Sequence, residues 1–469
     1  MTRSRLSLRR LETTSRKRLW YPFTQMAGMS REPPLIIRRG NGPYLWGHDG
    51  RRYLDGTSSL WVNLHGHRHP ELDRAVESQL RRIAHSTLLG LSHQPAIELA
   101  DELVRRTPRG LSRVFYSDNG STAVEVALKM AFQYWQLSGR AASRKRLFVS
   151  FANAYHGDTL GAVSVGGIDL FHQRFAPLLF PTIKVHAPYC YRCPLGLRYP
   201  ECGIACLDQL EHTLKRRKHE IAGVIVEPLI QAAAGMVTAP AGHLRRVREL
   251  TRWHDVLLIA DEVATGFGRT GRLFACEHEA VAPDLMAVAK GLTGGYLPLA
   301  ATLTTERIYR AFLGPYAAFK TFFHGHSYTG NPLGCAAALA NLKIFDTEGT
   351  LAAVQSAVSE LKKVLRPLGE LPHVGQIRQC GMMVGIELVK NRTGRAPYPP
   401  ARRTGYRVCR EARRRGLLLR PLGDVIVLMP PLSMSRPLIR RMADIVGRSI
   451  VRVTSSVQTG RRRKQRAPD

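Results

Sequence analysis

No apolar run in this 469-residue chain approaches the roughly 18 residues of a membrane-spanning helix, so an integral helical membrane protein is excluded. Cysteine is scarce, with eight in all, and a chain of this length with so few is not a disulfide-built scaffold. Acidic side chains are also few: 36 Asp and Glu face 69 Lys and Arg, a net charge of +33. The imbalance is concentrated at the ends. Seven basic side chains and one acid, Glu12, fall in the first twenty residues, and the chain closes on GRRRKQRAPD. Such charge suits nucleic acid or an anionic surface, and it equally suits disordered, solvated arms. The Arg- and Ser-rich start also has the composition of an organellar transit peptide.

What is present is ordinary for a soluble globular protein of two or three domains: 44% hydrophobic and 22% charged residues. The informative stretch is Val256 to Gly295. An apolar run, Val256 to Ala260, ends in Asp261 and Glu262. A second run, Leu285 to Ala289, ends in Lys290 and Gly-Leu-Thr-Gly-Gly. Both read as buried strands, and together with Val224 to Val226 they recur at about 30-residue intervals, the rhythm of a parallel sheet. Ligands bind at the carboxyl ends of such strands. A desolvated lysine there becomes a nucleophile able to form a Schiff base, and a carboxylate beside it can hold a pyridinium nitrogen protonated.

Other stretches point the same way. Val114 to Ser117 runs through Asp118-Asn119-Gly120-Ser121-Thr122 into an amphipathic helix with Val124, Leu128, Ala131 and Trp135 on one face. Strand, small-residue turn and helix together are a standard way to hold phosphate on free N–H groups, and they are also the plan of a plain helix N-cap. Tyr155 follows the Leu147 to Phe151 strand, where an aromatic ring can stack on a planar cofactor. Gly266 to Gly271 matches GxGxxG, but no acid ends a strand about 20 residues on, where a dinucleotide ribose needs one; Lys290 is there instead. Cys190, Cys193, Cys202 and Cys206 form two close pairs that could bind zinc, remain reduced thiols in a tight loop, or act as a redox pair. His65, His67 and His69 lack a carboxylate or cysteine at ligand spacing, and no metal is assigned to them. Two hairpin patterns are expected, one over 36–54 and one turning at Leu422-Gly423-Asp424. Arg420 is expected mid-strand among leucines, where an arginine usually has an anionic partner.

The motifs YPFTQM, DGTSSLWVNLHGHRHP, DNGSTAVEVALKMAFQYW, AYHGDT, VEPLIQ, ADEVATGFGRTG, AKGLTGG and HGHSYTGNP together resemble the class III (ω-) aminotransferases of pyridoxal-phosphate (PLP) fold type I, from about Leu19 to Leu432. That resemblance implies an α/β fold: a large domain with a mostly parallel sheet flanked by helices, and a smaller α+β domain built from the N- and C-terminal parts. The expected division is a disordered basic arm over 1–18, an N-terminal segment of the small domain over 19–75, and the large PLP domain over 76–345. The rest of the small domain spans 346–455, and a basic tail spans 456–469. By resemblance, Lys290 is the Schiff-base lysine and proton shuttle, Asp261 the partner of the pyridine nitrogen, and Tyr155 the ring-stacking aromatic. Gly120 and Ser121 form the phosphate turn, and Glu227 and Gln231 flank the cofactor. Gly325, His326 and Ser327 belong to a loop offered to phosphate and substrate by a neighbouring subunit, which implies a homodimer with composite sites. Phe23, Leu60, Trp61 and Arg420 fall at substrate positions.

The SSLW, ALKMAFQYW and LLRPLGDVIVLMPP segments resemble the biotin-pathway branch of the class. This implies a cytoplasmic enzyme with 8-amino-7-oxononanoate as acceptor, its carboxylate on Arg420. Relatives that use S-adenosylmethionine often carry tyrosine at the position of Phe23 and tryptophan at that of Leu60, so the donor stays open between S-adenosylmethionine and lysine. Other readings are a different ω-aminotransferase acting on a diamine or ω-amino acid, a nucleic-acid-binding protein, and a nicotinamide-dependent oxidoreductase.

Overall fold

The computed structural model describes residues 7–29 and 32–464, with 456–464 as backbone only. A seven-stranded sheet forms the centre. Its strands are β1 (Leu111–Ser117), β2 (Leu147–Phe151), β3 (Thr182–Val185), β4 (Ile221–Val226), β5 (Leu257–Asp261), β6 (Leu285–Val288) and β7 (Ala300–Thr305), in the order β1-β7-β6-β5-β4-β2-β3. Only β7 runs antiparallel to its neighbours; the other adjacent pairs are parallel.

Every residue of β4, β5 and β6 is buried, which is why these strands read as unbroken apolar runs. Alternation still sorts their side chains. Ile225, Leu257 and Ile259 pack under the helix Gly120–Leu137, while Val224, Leu258 and Ala260 pack under Asp208–Arg217 and His243–Trp253. Truncating Leu258 to alanine in this sandwich costs about 2–5 kcal/mol.

The two ends of the chain meet in a second layer. The antiparallel strands Ile37–Asn41, Tyr44–Gly47 and Arg52–Asp55 are joined by the C-terminal Leu417–Leu418, which pairs in parallel with Leu54 and Asp55. The expected hairpin over 36–54 is therefore a three-stranded meander that turns at 48–51. A four-stranded antiparallel sheet, Val374–Cys380, Met383–Leu388, Val425–Leu428 and Arg420–Leu422, stands beside it. Its last hairpin turns at Gly423, whose φ is +58°.

Two expectations are corrected. Leu8–Arg18 is an α-helix and not a disordered arm. Ser7 caps its first turn, Arg16, Lys17 and Arg18 face the negative end of the helix dipole, and the Ser15 hydroxyl contacts Tyr21; residues 1–6 lie outside the described residues. At the other end, the helix Arg436–Lys464 runs through most of the expected tail. The four clustered cysteines line one small cavity as free thiols. Among the described residues, no group of three or more His, Cys, Asp or Glu is placed to hold a metal ion. The three histidines go separate ways: His65 to Asn341, His67 to Asp55 and His69 to Glu348.

Candidate active site

The carboxyl edge of the central sheet opens into a cavity of about 600 Å³ between the sheet and the terminal layer. Its floor comes from strand ends. Asp261 closes β5 and pairs in register with Ala287 of β6, so Lys290 emerges on the neighbouring strand just beyond it. Glu227 follows β4, and Tyr155 follows β2. A parallel sheet thus collects at one edge residues far apart in sequence.

Lys290 has φ +45°, a left-handed conformation that costs a non-glycine residue about 1–3 kcal/mol and recurs at functional sites. Its Nζ lies 5.4 Å from the centre of the Trp61 ring. Burial pulls the amine below the ordinary lysine range, although Asp261 and Glu227 act in the other direction. Asp261 is 4% exposed. Its Oδ2 lies 2.7 Å from His156 Nδ1, and its Oδ1 accepts the Val263 N–H at 3.1 Å. Glu227 accepts the N–H groups of Tyr155 and Ala232 at 3.1 and 3.0 Å. Burial, and then the charge of Asp261, push its carboxyl up to about 8. The Tyr155 hydroxyl donates to Asp158 at 2.6 Å, and burial raises its pKa.

At one end of the cavity the helix Gly120–Leu137 points its N-terminus inward. Asn119 accepts the Thr122 N–H, and the Thr122 hydroxyl closes the capping box. The N–H groups of the first turn carry the positive end of the helix dipole. The Asp158 N–H reaches the Ser121 hydroxyl at 3.2 Å. A Cβ on Gly120 would lie 2.5 Å from Val263, and one on Gly157 2.1 Å from the Ser121 hydroxyl, so both contacts need glycine.

The opposite wall is apolar and aromatic. Phe171 stands edge-on to both Phe23 and Tyr155, at 5.3 and 6.3 Å between ring centres. The Arg420 guanidinium lies 5.9 Å from the Phe23 ring. Arg420 opens the strand Arg420–Leu422, is exposed, and forms no ion pair among the described residues. The expected anionic partner is thus absent among the described residues, and Arg420 lines the cavity instead.

The cavity therefore gathers Lys290, Asp261, Tyr155, Gly120, Ser121 and Glu227 with Phe23, Leu60, Trp61 and Arg420. It does not include Gln231, whose amide donates to Ala152 O, nor Gly325, His326 and Ser327, which lie in a separate loop. Sequence reasoning passed over His156, although it sits beside Tyr155 in AYHGDT. It also missed Phe171, whose position no motif marks.

This set suits pyridoxal phosphate. A helix N-terminus with a serine hydroxyl takes a phosphate, a buried carboxylate with spare lone pairs takes a protonated ring nitrogen, and a desolvated lysine takes an aldehyde. The buried His156 Nε2 has no hydrogen-bond partner among the described residues. The Nδ1 of the same ring is directed at the Asp261 carboxylate, so the imidazole holds that carboxylate in place.

Comparison with known proteins agrees. The family model described as aminotransferase class-III matches residues 26–450. The adenosylmethionine-8-amino-7-oxononanoate aminotransferase of Nitratidesulfovibrio vulgaris is 54% identical over 95% of this chain and 82% of its own. Its namesake in Geobacter sulfurreducens is 52% identical over 95% and 98%. Among solved structures, the enzyme of that name from Methanocaldococcus jannaschii superposes with a TM-score of 0.89 at 44% identity, covering 94% of this chain and 98% of the other. An amine transaminase from an uncultivated Pseudomonas species, solved in its PLP-bound form, gives 0.88 at 36% identity, covering 93% and 99%. The chain belongs to the class-III aminotransferases, enzymes whose cofactor is pyridoxal phosphate.

Proposed function

We propose that this chain transfers an amino group to the ketone of 8-amino-7-oxononanoate, giving 7,8-diaminononanoate. The observation that carries the proposal is the identity of 52–54% over 95% of the chain to relatives named for that reaction. Arg420, which lines the apolar cavity and forms no ion pair among the described residues, supports it: a guanidinium there suits the carboxylate of a long-chain keto acid.

Bound pyridoxal phosphate supplies an electrophilic carbon for amine attachment and a sink for the electron pair left when a C–H bond breaks. The chain supplies the rest. Lys290 would hold the cofactor, and its free Nζ would take and return the proton of the reacting carbon. Asp261, oriented by His156 and the Val263 N–H, keeps the ring nitrogen protonated. Gly120 and Ser121 would hold the phosphate, and Tyr155 would pack against the ring. Phe23, Leu60, Trp61 and Phe171 exclude water along the substrate's carbon chain.

The donor is S-adenosylmethionine, as in the relatives' name. Lysine is the second reading. Neither Phe23 nor Leu60 offers a hydroxyl or indole N–H to the cavity, so the wall lacks the polar tips that S-adenosylmethionine-dependent relatives often place there.

The working unit in this reading is a cytoplasmic homodimer. The loop with Gly325, His326 and Ser327 lies outside the chain's own cavity. Tyr316, Phe319 and Phe323 around it are 92%, 65% and 72% exposed, which suits cover by a second copy.

Single half-reactions test the assignment. The enzyme is converted to its amino form with each donor in turn, and 8-amino-7-oxononanoate is then added. The expected result is return of the original spectrum with formation of 7,8-diaminononanoate. An amino form unchanged by this ketone but reoxidised by another carbonyl compound makes the enzyme a different ω-aminotransferase.

A further inference from the structure

The segment that carries Leu60 and Trp61 into the cavity has a backbone that its sequence disfavours. Ser58, Ser59, Leu60 and Trp61 have φ values of +50°, +47°, +75° and +72°, one turn of left-handed helix without a glycine. L-residues avoid this conformation because Cβ crowds the following carbonyl. The turn therefore persists only because its surroundings hold it.

What holds it is mainly Asp55, a carboxylate 1% exposed. Its Oδ1 accepts the N–H groups of Thr57 and Ser59 at 3.3 and 3.1 Å. Its Oδ2 accepts the Ser59 hydroxyl at 2.8 Å and lies 3.1 Å from His67 Nε2. From the other side, the Ser58 hydroxyl donates to Met429 O at 2.7 Å. The buried Arg269 guanidinium ties the next residues down by donating to Asn63 O at 2.9 Å and Pro430 O at 2.6 Å. The product of this scaffolding is directional. Trp61 is buried with its ring beside Lys290 Nζ, while Leu60 is 49% exposed and turned to the cavity. In a right-handed turn the same four residues would present different side chains to the site.

We infer that Asp55 is a positioning residue for substrate recognition: it fixes the left-handed turn that sets Leu60 and Trp61 against the substrate over Lys290. The inference rests on reading Lys290 as the reacting amine. Asp55 does not line the cavity, and it acts through Leu60 and Trp61, which do.

The test uses three single holoenzyme variants and the double variant Asp55→Asn with Leu60→Ala. Asp55→Asn puts an NH₂ group at one of the two accepting oxygens, Ser59→Ala removes one bond on an exposed residue, and Leu60→Ala removes the presented side chain. For each, the visible absorption of the bound cofactor and its pH titration are recorded, and both half-reactions are followed. The expected result for Asp55→Asn is a fall of roughly tenfold to a hundredfold in kcat/KM, carried mainly by KM, with the cofactor spectrum and its titration unchanged. Ser59→Ala falls in the same direction by about two- to fivefold. In the Leu60→Ala background the Asp55→Asn loss shrinks, because both act on one contact. Two results would overturn the inference: wild-type kcat/KM in both Asp55→Asn and Ser59→Ala, or losses that add fully in the double variant. A failure of the underlying reading shows separately, as a wild-type spectrum that Lys290→Ala leaves unchanged.

Discussion

Lys290 and Glu227 share one desolvated floor, and burial has moved them in opposite directions, the amine down and the carboxyl up to about 8. In each case the charged form loses its water, so the neutral form is favoured. A neutral amine is the state that attacks a carbonyl, and a neutral Glu227 adds no charge of its own to the floor beside Lys290. Glu227 also makes a stability statement. Its folded pKa lies above its ordinary value of 4.5, so its contribution is fully present below that value and is lost as pH rises through about 8. Glu227→Gln removes this dependence. Its melting temperature, relative to wild type, should climb by several degrees between about pH 5 and pH 9. A difference that stays flat over that range contradicts the assignment.

Among the elements, the helix Gly120–Leu137 and the parallel strands were the most legible in the sequence. Apolar spacing marked the buried face of the helix, and unbroken apolar runs marked β4, β5 and β6. Their acids and lysine were readable as site groups because a parallel sheet delivers its carboxyl ends to one edge. The left-handed turn at 58–61 was not legible. Four side chains that avoid positive φ are held there by a carboxylate, a histidine, one distant carbonyl and one distant guanidinium, which local propensity does not report. The positive φ of Lys290 was hidden for the same reason. The helix Leu8–Arg18 was missed because its composition is that of a solvated arm, and its cap and its contact with Tyr21 show only in space. The cap of the Gly120–Leu137 helix allows a test at this scale. Asn119→Ala removes one side of a capping box and should cost about 1 kcal/mol in unfolding free energy. It should also weaken cofactor affinity, since the same turn faces the cavity. An unchanged cofactor affinity in a destabilised variant would separate the cap from the phosphate site.

For the molecule as a whole, the terminal strands closing over the sheet edge explain why the cavity is bounded by residues as distant as Phe23, Lys290 and Arg420. The exposed aromatic face around Tyr316, Phe319 and Phe323 gives the assembly prediction. Wild-type protein should sediment as a dimer. Phe319→Asp combined with Phe323→Asp should shift it to monomer and abolish turnover, because the loop with His326 and Ser327 then no longer reaches a second site. A monomeric wild type with full activity contradicts the composite-site reading. The central claim is that the lysine at the end of β6 is where this chain holds its cofactor, and one comparison addresses it directly. The absorption spectrum of purified protein reconstituted with pyridoxal phosphate is recorded for wild type and for Lys290→Ala. The account predicts a visible band in the wild type that is lost or shifted to that of unattached cofactor in the variant, with turnover reduced by about 10²–10⁴-fold or more. An identical band and undiminished turnover in Lys290→Ala would contradict it.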